Sequence, residues 1–476
     1  TAGVIPAIFA SALLLLPITF SNFGLSESDF FINFASLFSQ GKPLYMLLYA
    51  SGIIFFSFFY TSIVFNPKET ADNLRKYGGY VPGIRPGERT AVYIENILMK
   101  LTTIGACYLT LVCLMPEFLI AKYPIPVVYA GSAPDTYGTD NPLSIGSAGI
   151  MGCSRAGNFM VQNSDLLLVF GCRLSPMTTD SDCSKFARGA TGIVVDIDRV
   201  EHSKDIINID RLIIADAKKF LISLMNEDIK EADEEWKRKC LHWKQIFPKC
   251  EEKYKTSEKV DLYYLAECLS ETLPVNSVFL SDSGLIELML PTNISFKKDQ
   301  RCIHPASQGS MGFALPGLVG AHYASDCPVI AVIGDGSIMM NLQELVTIRH
   351  NDIPAKIFVI NNNAYAVIRK RQVELFRSRT IGTDPSDGVG CPNFMKVAEG
   401  FEIPYKRIDS SLGLQQKLKS IIDMDGPVLC EIMGLENQEY IRSSHTRDSK
   451  RRIVFRPIED QAPYLDRDLF LSEMII

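Results

Sequence analysis

The chain has 476 residues, too many for one hydrophobic core, so two or three domains are expected. It carries 48 Lys and Arg against 54 Asp and Glu, a formal charge of −6, and this acidic balance excludes an electrostatic case for nucleic-acid binding. The average conceals a break near residue 122: up to Lys122 there are 8 Lys/Arg against 7 Asp/Glu in an apolar, aromatic stretch, and an ordinary acidic globular sequence follows. The first residue is Thr1, and no charged n-region with a small-residue cleavage site follows it. That predicts no signal peptide and an N-terminus cut from something longer. Twelve cysteines without a C-x-x-C pair or Cys/His metal spacing predict free thiols in a reducing compartment, nearly all of them small buried hydrophobes.

Three long uncharged or nearly uncharged runs open the chain, at residues 2–20, 43–65 and 96–115, the last with Lys100 alone. Each approaches the ~20 residues a helix needs to cross a bilayer, so residues 1–122 are expected to be an all-α, three-span membrane segment. Lys68, Arg75, Lys76, Arg85 and Arg89 crowd the segment 66–90, whereas the loop 21–42 carries only Lys42. The positive-inside rule puts 66–90 in the cytoplasm and everything after Met115 on the far side.

The strings GVIPAIFAS (3–11), FNPKETADNL (65–74), PGIRPGERT (82–90) and LVCLMPEFLI (111–120) resemble the SecY channel subunit of the bacterial Sec translocase. The resemblance covers residues 1–123. It implies spans seven to nine of a ten-span channel in the inner membrane, with a loop at Arg85 that docks the ribosome and the motor ATPase. Six spans before it and one after are missing, so no working channel is expected.

From Pro124 short apolar strands alternate with amphipathic helices. Residues 165–171, 192–198 and 212–215 read as buried parallel strands and 217–226 as a helix, giving a central domain over 123–228. A charged helical connector is expected at 229–260. A second unit, 261–476, has helices at 261–272, 311–324 and 341–351 and strands at 277–281, 329–333, 356–360 and 427–432. The predicted fold class is α/β: two domains with doubly wound parallel sheets, whose ligands bind at the carboxyl ends of the strands.

Gly334-Asp335-Gly336 falls at such a strand end and opens a helix. Glycines there let the backbone approach a phosphate, and Asp335 is suited to hold a hard cation. After Gly336, 24 residues intervene before Asn361–Asn363, which end the next strand. One carboxylate, amide oxygens and backbone carbonyls then converge, the oxygen set that Mg²⁺ shares with phosphates. GDG alone is a weak signal; strand, GDG, helix, strand and NN at this spacing form a specific one. No G-x-x-x-x-G-K-[ST] supports a P-loop.

The whole pattern resembles thiamine diphosphate enzymes. ASQGSMGFALPGLVGA (306–321) and the stretch 141–175 are similar to the acetolactate synthase-like branch, and coverage runs from 125 to 476. The resemblance implies thiamine diphosphate and Mg²⁺ as cofactors, a small 2-oxo acid as substrate, a homo-oligomer, and a cytoplasmic place for this half. Position by position it makes Asp335 and Asn362 the side-chain Mg²⁺ ligands and Ala364 the carbonyl ligand. Gly284, Gly336 and Ser337 become diphosphate contacts, and Met311 the apolar prop under the thiamine. Leu285 and Ile286 depart from a polar pair common in acetolactate synthases. The glutamate that activates the aminopyrimidine in the family lies on a separate pyrimidine-binding domain, whose place here is taken by the spans; no catalytic residue is therefore assigned, and Glu287 and Glu344 are in the wrong units. The chain is expected to bind cofactor but not to turn over. The competing expectation is a translocon fragment with a passive soluble tail. An open reading frame assembled from two genes, joined within 123–138, is expected over an evolved bifunctional protein.

Overall fold

A computed structural model of the chain describes residues 10, 43–76, 82, 84, 87–122, 125–139, 141–203, 207–224, 227, 232–306, 308–447 and 453–475. The run at 2–20 (Ala10 apart), the loop residue Arg85, and Tyr123 and Pro124 within the expected joint lie outside them. The chain divides into two compact units, residues 1–125 with 224–232, and residues 126–223 with 233–476.

In the first unit, helix α1 (Pro43–Val64) takes up the whole uncharged run. It stops at Phe65 and Asn66, where the Asn66 side chain accepts from the backbone N–H of Lys68 at 3.2 Å and of Glu69 at 3.4 Å. With Pro67 in the first turn, this caps the charged helix α2 (Pro67–Lys76). Both helices pack on α3 (Glu88–Lys122), of 35 residues. Tyr49, Ile53 and Ser57 form a buried stripe along α1, while Leu47, Phe55 and Phe59 are exposed. The Phe55 and Phe59 rings stack with centroids 5.9 Å apart. Such an outward apolar face is what a helix in lipid presents. Among the described residues one stretch, Leu47–Lys76, is long and apolar enough to cross a membrane. The 96–115 run is helical within α3 but does not qualify, so of the three expected spans one is supported.

The second unit begins with a parallel pair, β1 (Val127–Ala130) and β2 (Ser144–Ala148), followed by helix α4 (Arg155–Gln162). Strands β3 (Leu166–Phe170), β4 (Thr191–Asp196) and β5 (Arg211–Ile214) make a three-stranded parallel sheet in that order. The expected central domain thus has its three apolar strands, but β1 and β2 pair apart from them. Helix α5 (Ala217–Leu224) ends this part. In the charged connector, α6 (Glu234–Ile246) buries Trp243 against Phe159, Phe247 and Phe470.

Next come α7 (Leu262–Thr272), β6 (Val278–Ser281), α8 (Leu285–Asn293), β7 (Arg301–Ile303), α9 (Ala314–Ala324) and β8 (Val329–Gly334). They are followed by α10 (Glu344–His350), β9 (Lys356–Asn361), α11 (Ala366–Leu375), α12 (Phe394–Gly400), β10 (Tyr405–Ile408), α13 (Leu414–Ile422) and β11 (Val428–Met433). All six strands are parallel, in the order β10-β11-β9-β8-β6-β7. The sheet is buried on both faces. Along β8, Ile330 and Val332 join α7, α8 and α13 in one apolar cluster, and Val329, Ala331 and Ile333 join α9, α10 and α12 in another. Period-2 alternation with both sides apolar makes these strands read as continuous hydrophobic runs.

The tail ends in helix α14 (Arg467–Glu473) and returns to the central part. Glu459 accepts from Gln162 at 2.7 Å, and Glu473 accepts from Lys239 at 2.6 Å and Trp243 at 3.0 Å. Gly152, at φ 67°, is where three segments meet: its N–H donates to the Ile441 carbonyl at 2.8 Å, and a Cβ there would stand 1.9 Å from the Leu288 carbonyl oxygen. Gly152→Ala is expected to destabilise this unit by about 2–3 kcal/mol, read as a lower urea midpoint at unchanged slope.

Candidate functional site

Strands β8 and β9 are neighbours in register, with Gly334 opposite Ile360. The chain therefore leaves both at the same carboxyl edge, Asp335–Ile338 as one helical turn and Asn361–Asn363 as a tight loop with Asn363 at φ 54°. Asp335 is 3 % exposed. One of its carboxylate oxygens accepts from the Gly336 N–H at 2.7 Å and the other from the Asn363 N–H at 2.6 Å. Burial pushes the Asp335 carboxyl above the usual carboxylate range, opposed by those N–H groups and by the Cys391 thiol.

Asn362 turns its side-chain oxygen to the Ala364 N–H at 3.2 Å, and Asn361 is committed to Glu431 at 2.6 Å. Asp335, Asn362 and the buried Ala364 thus stand on one edge. Among the described residues no group of three or more His, Cys, Asp or Glu side chains gathers, so a cation at this edge depends on one carboxylate with amide and carbonyl oxygens. Gly336 lies under Tyr365: a Cβ there would come within 2.2 Å of the ring. Arg369 is held by Asp384 at 3.2 Å and Glu436 at 2.6 Å.

A second carboxylate organises the next strand end. Asp282 follows β6 and is fully buried. It accepts from the N–H groups of Ser283 (2.7 Å), Gly312 (3.0 Å) and Ala314 (2.9 Å), and from the Ser337 hydroxyl at 2.5 Å. It therefore ties β6 to the loop before α9 and to the turn after β8. Gly284, at φ 88°, opens α8 beside it. Met311 was expected to begin a helix; instead it lies in the turn before α9, 39 % exposed, because Gly312 at φ 77° breaks the helical path and packs its backbone on Met340. Sequence reasoning missed Asp282, which reads as a plain turn acid; its position right after a β-strand and two residues before Gly284 was the available signal. It also missed Cys391 beside Asp335 and His304 after β7.

This architecture, a six-stranded parallel sheet with GDG and NNN on adjacent strand ends, is of the class that seats a diphosphate at its carboxyl edge. Residues 282–432 match the family model described as "Thiamine pyrophosphate enzyme, C-terminal TPP binding domain", and residues 117–224 the one described as "Thiamine pyrophosphate enzyme, central domain". Residues 1–134 match the SecY family model. The N-terminal part is 54 % identical over 134 residues to the protein translocase subunit SecY of Escherichia coli K12, covering 28 % of this chain and 30 % of that one. It is 51 % identical over 133 residues to SecY of Rickettsia bellii, covering 28 % and 31 %, and 51 % identical over 137 residues to SecY of Vibrio cholerae, with the same coverage. The chain spans about three tenths of the length of these relatives. It thus carries segments that match the central and C-terminal domain models of thiamine pyrophosphate enzymes, behind a segment similar to SecY.

Asp282→Asn replaces one acceptor oxygen by an N–H₂ group facing buried donors. It is expected to cost roughly 2–4 kcal/mol of stability, measured by chemical denaturation, while Asp282→Glu is expected to lose about as much through overpacking.

Proposed function

We propose that residues 126–476 are the cofactor-binding part of a 2-oxo-acid decarboxylase or ligase resembling acetolactate synthase, carried on a membrane segment. The observation that supports this reading best is the approach of Asp335 to the Asn361–Asn363 loop, at 2.6 Å from the Asn363 N–H. On this reading Asp335, Asn362 and the Ala364 carbonyl hold Mg²⁺. Gly336 and Ser337 meet the diphosphate from one side and Gly284 from the other, and exposed Met311 supports the thiamine. The donor set fits a hard cation: each Asp335 oxygen accepts one N–H group and has a further lone pair to offer, beside the amide oxygen of Asn362. When bound, thiamine diphosphate would supply the electron sink that lets a 2-oxo acid lose its carboxylate as CO₂. The protein residues orient it and keep water from the buried edge.

The residues before the central domain match SecY rather than a pyrimidine-binding domain, so no glutamate of this chain is assigned to activate the aminopyrimidine. On our reading the chain binds cofactor, assembles as a homo-oligomer, and does not turn over by itself. A translocon-derived reading of residues 1–122 is favoured by the 54 % identity to SecY. It implies a bacterial inner-membrane location for that part, with ribosome or motor-ATPase contacts only if the Arg85 loop works. The chemistry of the enzyme part suits the cytoplasm. The SecY and central-domain matches overlap over residues 117–134, which supports a joint between two genes there.

Calorimetry on the full chain in detergent is expected to show Mg²⁺-dependent thiamine diphosphate binding. Asp335→Ala is expected to weaken it at least tenfold, about 1.4 kcal/mol. Equal binding by that variant removes the metal assignment. Pyruvate decarboxylation is expected only when a pyrimidine domain is supplied as a separate chain; steady turnover by the purified chain refutes the inactivity. One sequencing read of source DNA across the codons for Lys122 to Gly138 is expected to find the two halves apart, and an uninterrupted read overturns the joint.

A further inference from the structure

A buried polar pair with no described use sits at the same sheet edge, on the β7 side of β6. Glu287 is the third residue of α8, and His304 directly follows β7, the parallel neighbour of β6. Their side chains are 12 % and 5 % exposed, and the Glu287 carboxylate lies 4.0 Å from His304 Nδ1, too far for a hydrogen bond. By hydrogen-bond geometry neither ring nitrogen has a partner among the described residues, and the Ser132 backbone lies near enough to favour the protonated ring. Buried polar groups in folded proteins are paired, so an unpaired buried imidazole asks for a ligand.

The surroundings say which kind. Gly309, at φ 59°, carries the loop after His304 past the pair: a Cβ there would stand 3.4 Å from the second Glu287 oxygen and 3.7 Å from the Ser283 hydroxyl. Ser283 adjoins Gly284, so the pair lies beside the proposed diphosphate seat. Leu285 and Ile286 are buried in the apolar core, Ile286 with its methyl end against Gly334, and bring no polar group to this edge. The geometry points to Glu287 and His304 as a two-donor niche for one oxyanion, an outer oxygen set of a diphosphate or the carboxylate of a 2-oxo acid. Its place in catalysis rests on the thiamine reading above.

Two donors require a proton on each group. Burial, with the charge of Asp282, pushes the Glu287 carboxyl up to about 7. Burial holds His304 below the usual imidazole range, against the Ser132 backbone and the nearby Asp135 carboxylate, which itself pairs with Arg301 at 3.0 Å. Asp282 from β6 and Asp135 with Arg301 are the charged groups that face the pair. Near neutral pH the niche offers a carboxyl O–H and one imidazole N–H. A seated anion raises Glu287 further, so the bound state holds more protons than the free state above about pH 7. Affinity is then full below that pH and falls as pH rises through it.

The test titrates the full chain in detergent from about pH 6 to about pH 8.5, with Mg²⁺ and inorganic pyrophosphate in one arm and pyruvate in the other. The arm that fits the niche is expected to weaken up to tenfold between about pH 7 and about pH 8, with uptake of about one proton. Which arm does so identifies the oxyanion. Glu287→Gln keeps an N–H donor and is expected to bind at neutral pH without the slope. His304→Leu is expected to weaken binding about tenfold, and the imidazole resonances of ¹⁵N-histidine wild-type protein, shifted by the same ligand, report on the ring should that variant not fold. Flat pH profiles in both arms, or a slope that persists in Glu287→Gln, overturn the niche. Thiamine diphosphate binding that depends on Asp335 but ignores pH and Glu287→Gln removes the niche and leaves the thiamine reading. A Glu287-dependent slope in a chain that takes no thiamine diphosphate does the reverse.

Discussion

Gly334 faces Ile360 across a parallel ladder, and the chemistry of the carboxyl edge depends on that register. Parallel strands place equivalent ends on the same side of a sheet, so a carboxylate one residue past β8 and a loop at the end of β9 meet without any long side chain to bridge them. A slip of one residue would turn Ile333 and Val359 from the apolar cluster they fit toward the other, where the neighbouring side-chain shapes differ. The register is therefore enforced by the core, not by the site. The same apolar runs that build the sheet also aim its ends, so placing the site needs no separate scaffold.

Two buried carboxylates then carry the edge, each in a different way. Asp282 is saturated by three N–H groups and a hydroxyl and acts as a structural anchor that holds the loop before α9 against the turn after β8. Asp335 accepts N–H groups from Gly336 and Asn363 and faces the Cys391 thiol, yet burial still raises its carboxyl. Leaving a charged group under-compensated in a dry site is costly unless an opposite charge arrives. Asp282 thus ties β6 to the loop before α9 and to the turn after β8, and on the proposed reading Asp335 is the carboxylate that takes a cation.

Strands β4, β6, β8, β9 and β11 were legible because their residues are apolar and they sit inside parallel sheets; β3 was legible by its apolar run alone, for it is a sheet edge with Leu166 half exposed rather than the buried strand expected. β2 was not: its sequence is Ser144-Ile145-Gly146-Ser147-Ala148, fully buried yet without an apolar run, since Ser147 and Gly146 are buried by close packing on Ser154 rather than by hydrophobic content. β10 is an edge strand whose Lys406 and Arg407 face solvent, and a half-exposed edge loses the pattern that marks a buried strand. GDG and NNN were legible because spacing along one chain predicts neighbouring strand ends. Asp282, Glu287 and His304 were not, because their roles arise from three separate strand ends brought together by the order β8-β6-β7, which no local pattern encodes. Along α1 the opposite holds: composition alone predicts the helix, and the structure adds only which face, Tyr49 to Ser57, is turned inward.

Charge at the edge decides what could occupy it. Asp282, Asp335 and Glu287 place three carboxyl groups beside the proposed diphosphate seat, and Arg369, which follows the asparagines, is already committed to Asp384, Glu436 and Asn437. A diphosphate approaching these groups meets acids, so on the proposed reading its charge is offset by backbone N–H groups and by a divalent ion rather than by arginine or lysine. Ion and diphosphate then depend on each other: the ion lacks enough protein oxygens to complete an octahedron by itself, and the diphosphate lacks a cation without it. A protonated Glu287 fits the same logic, since a neutral carboxyl donates a hydrogen bond to an anion that its ionised form would repel. Each of these groups belongs to the second unit, so cofactor recognition as proposed uses nothing from the membrane segment.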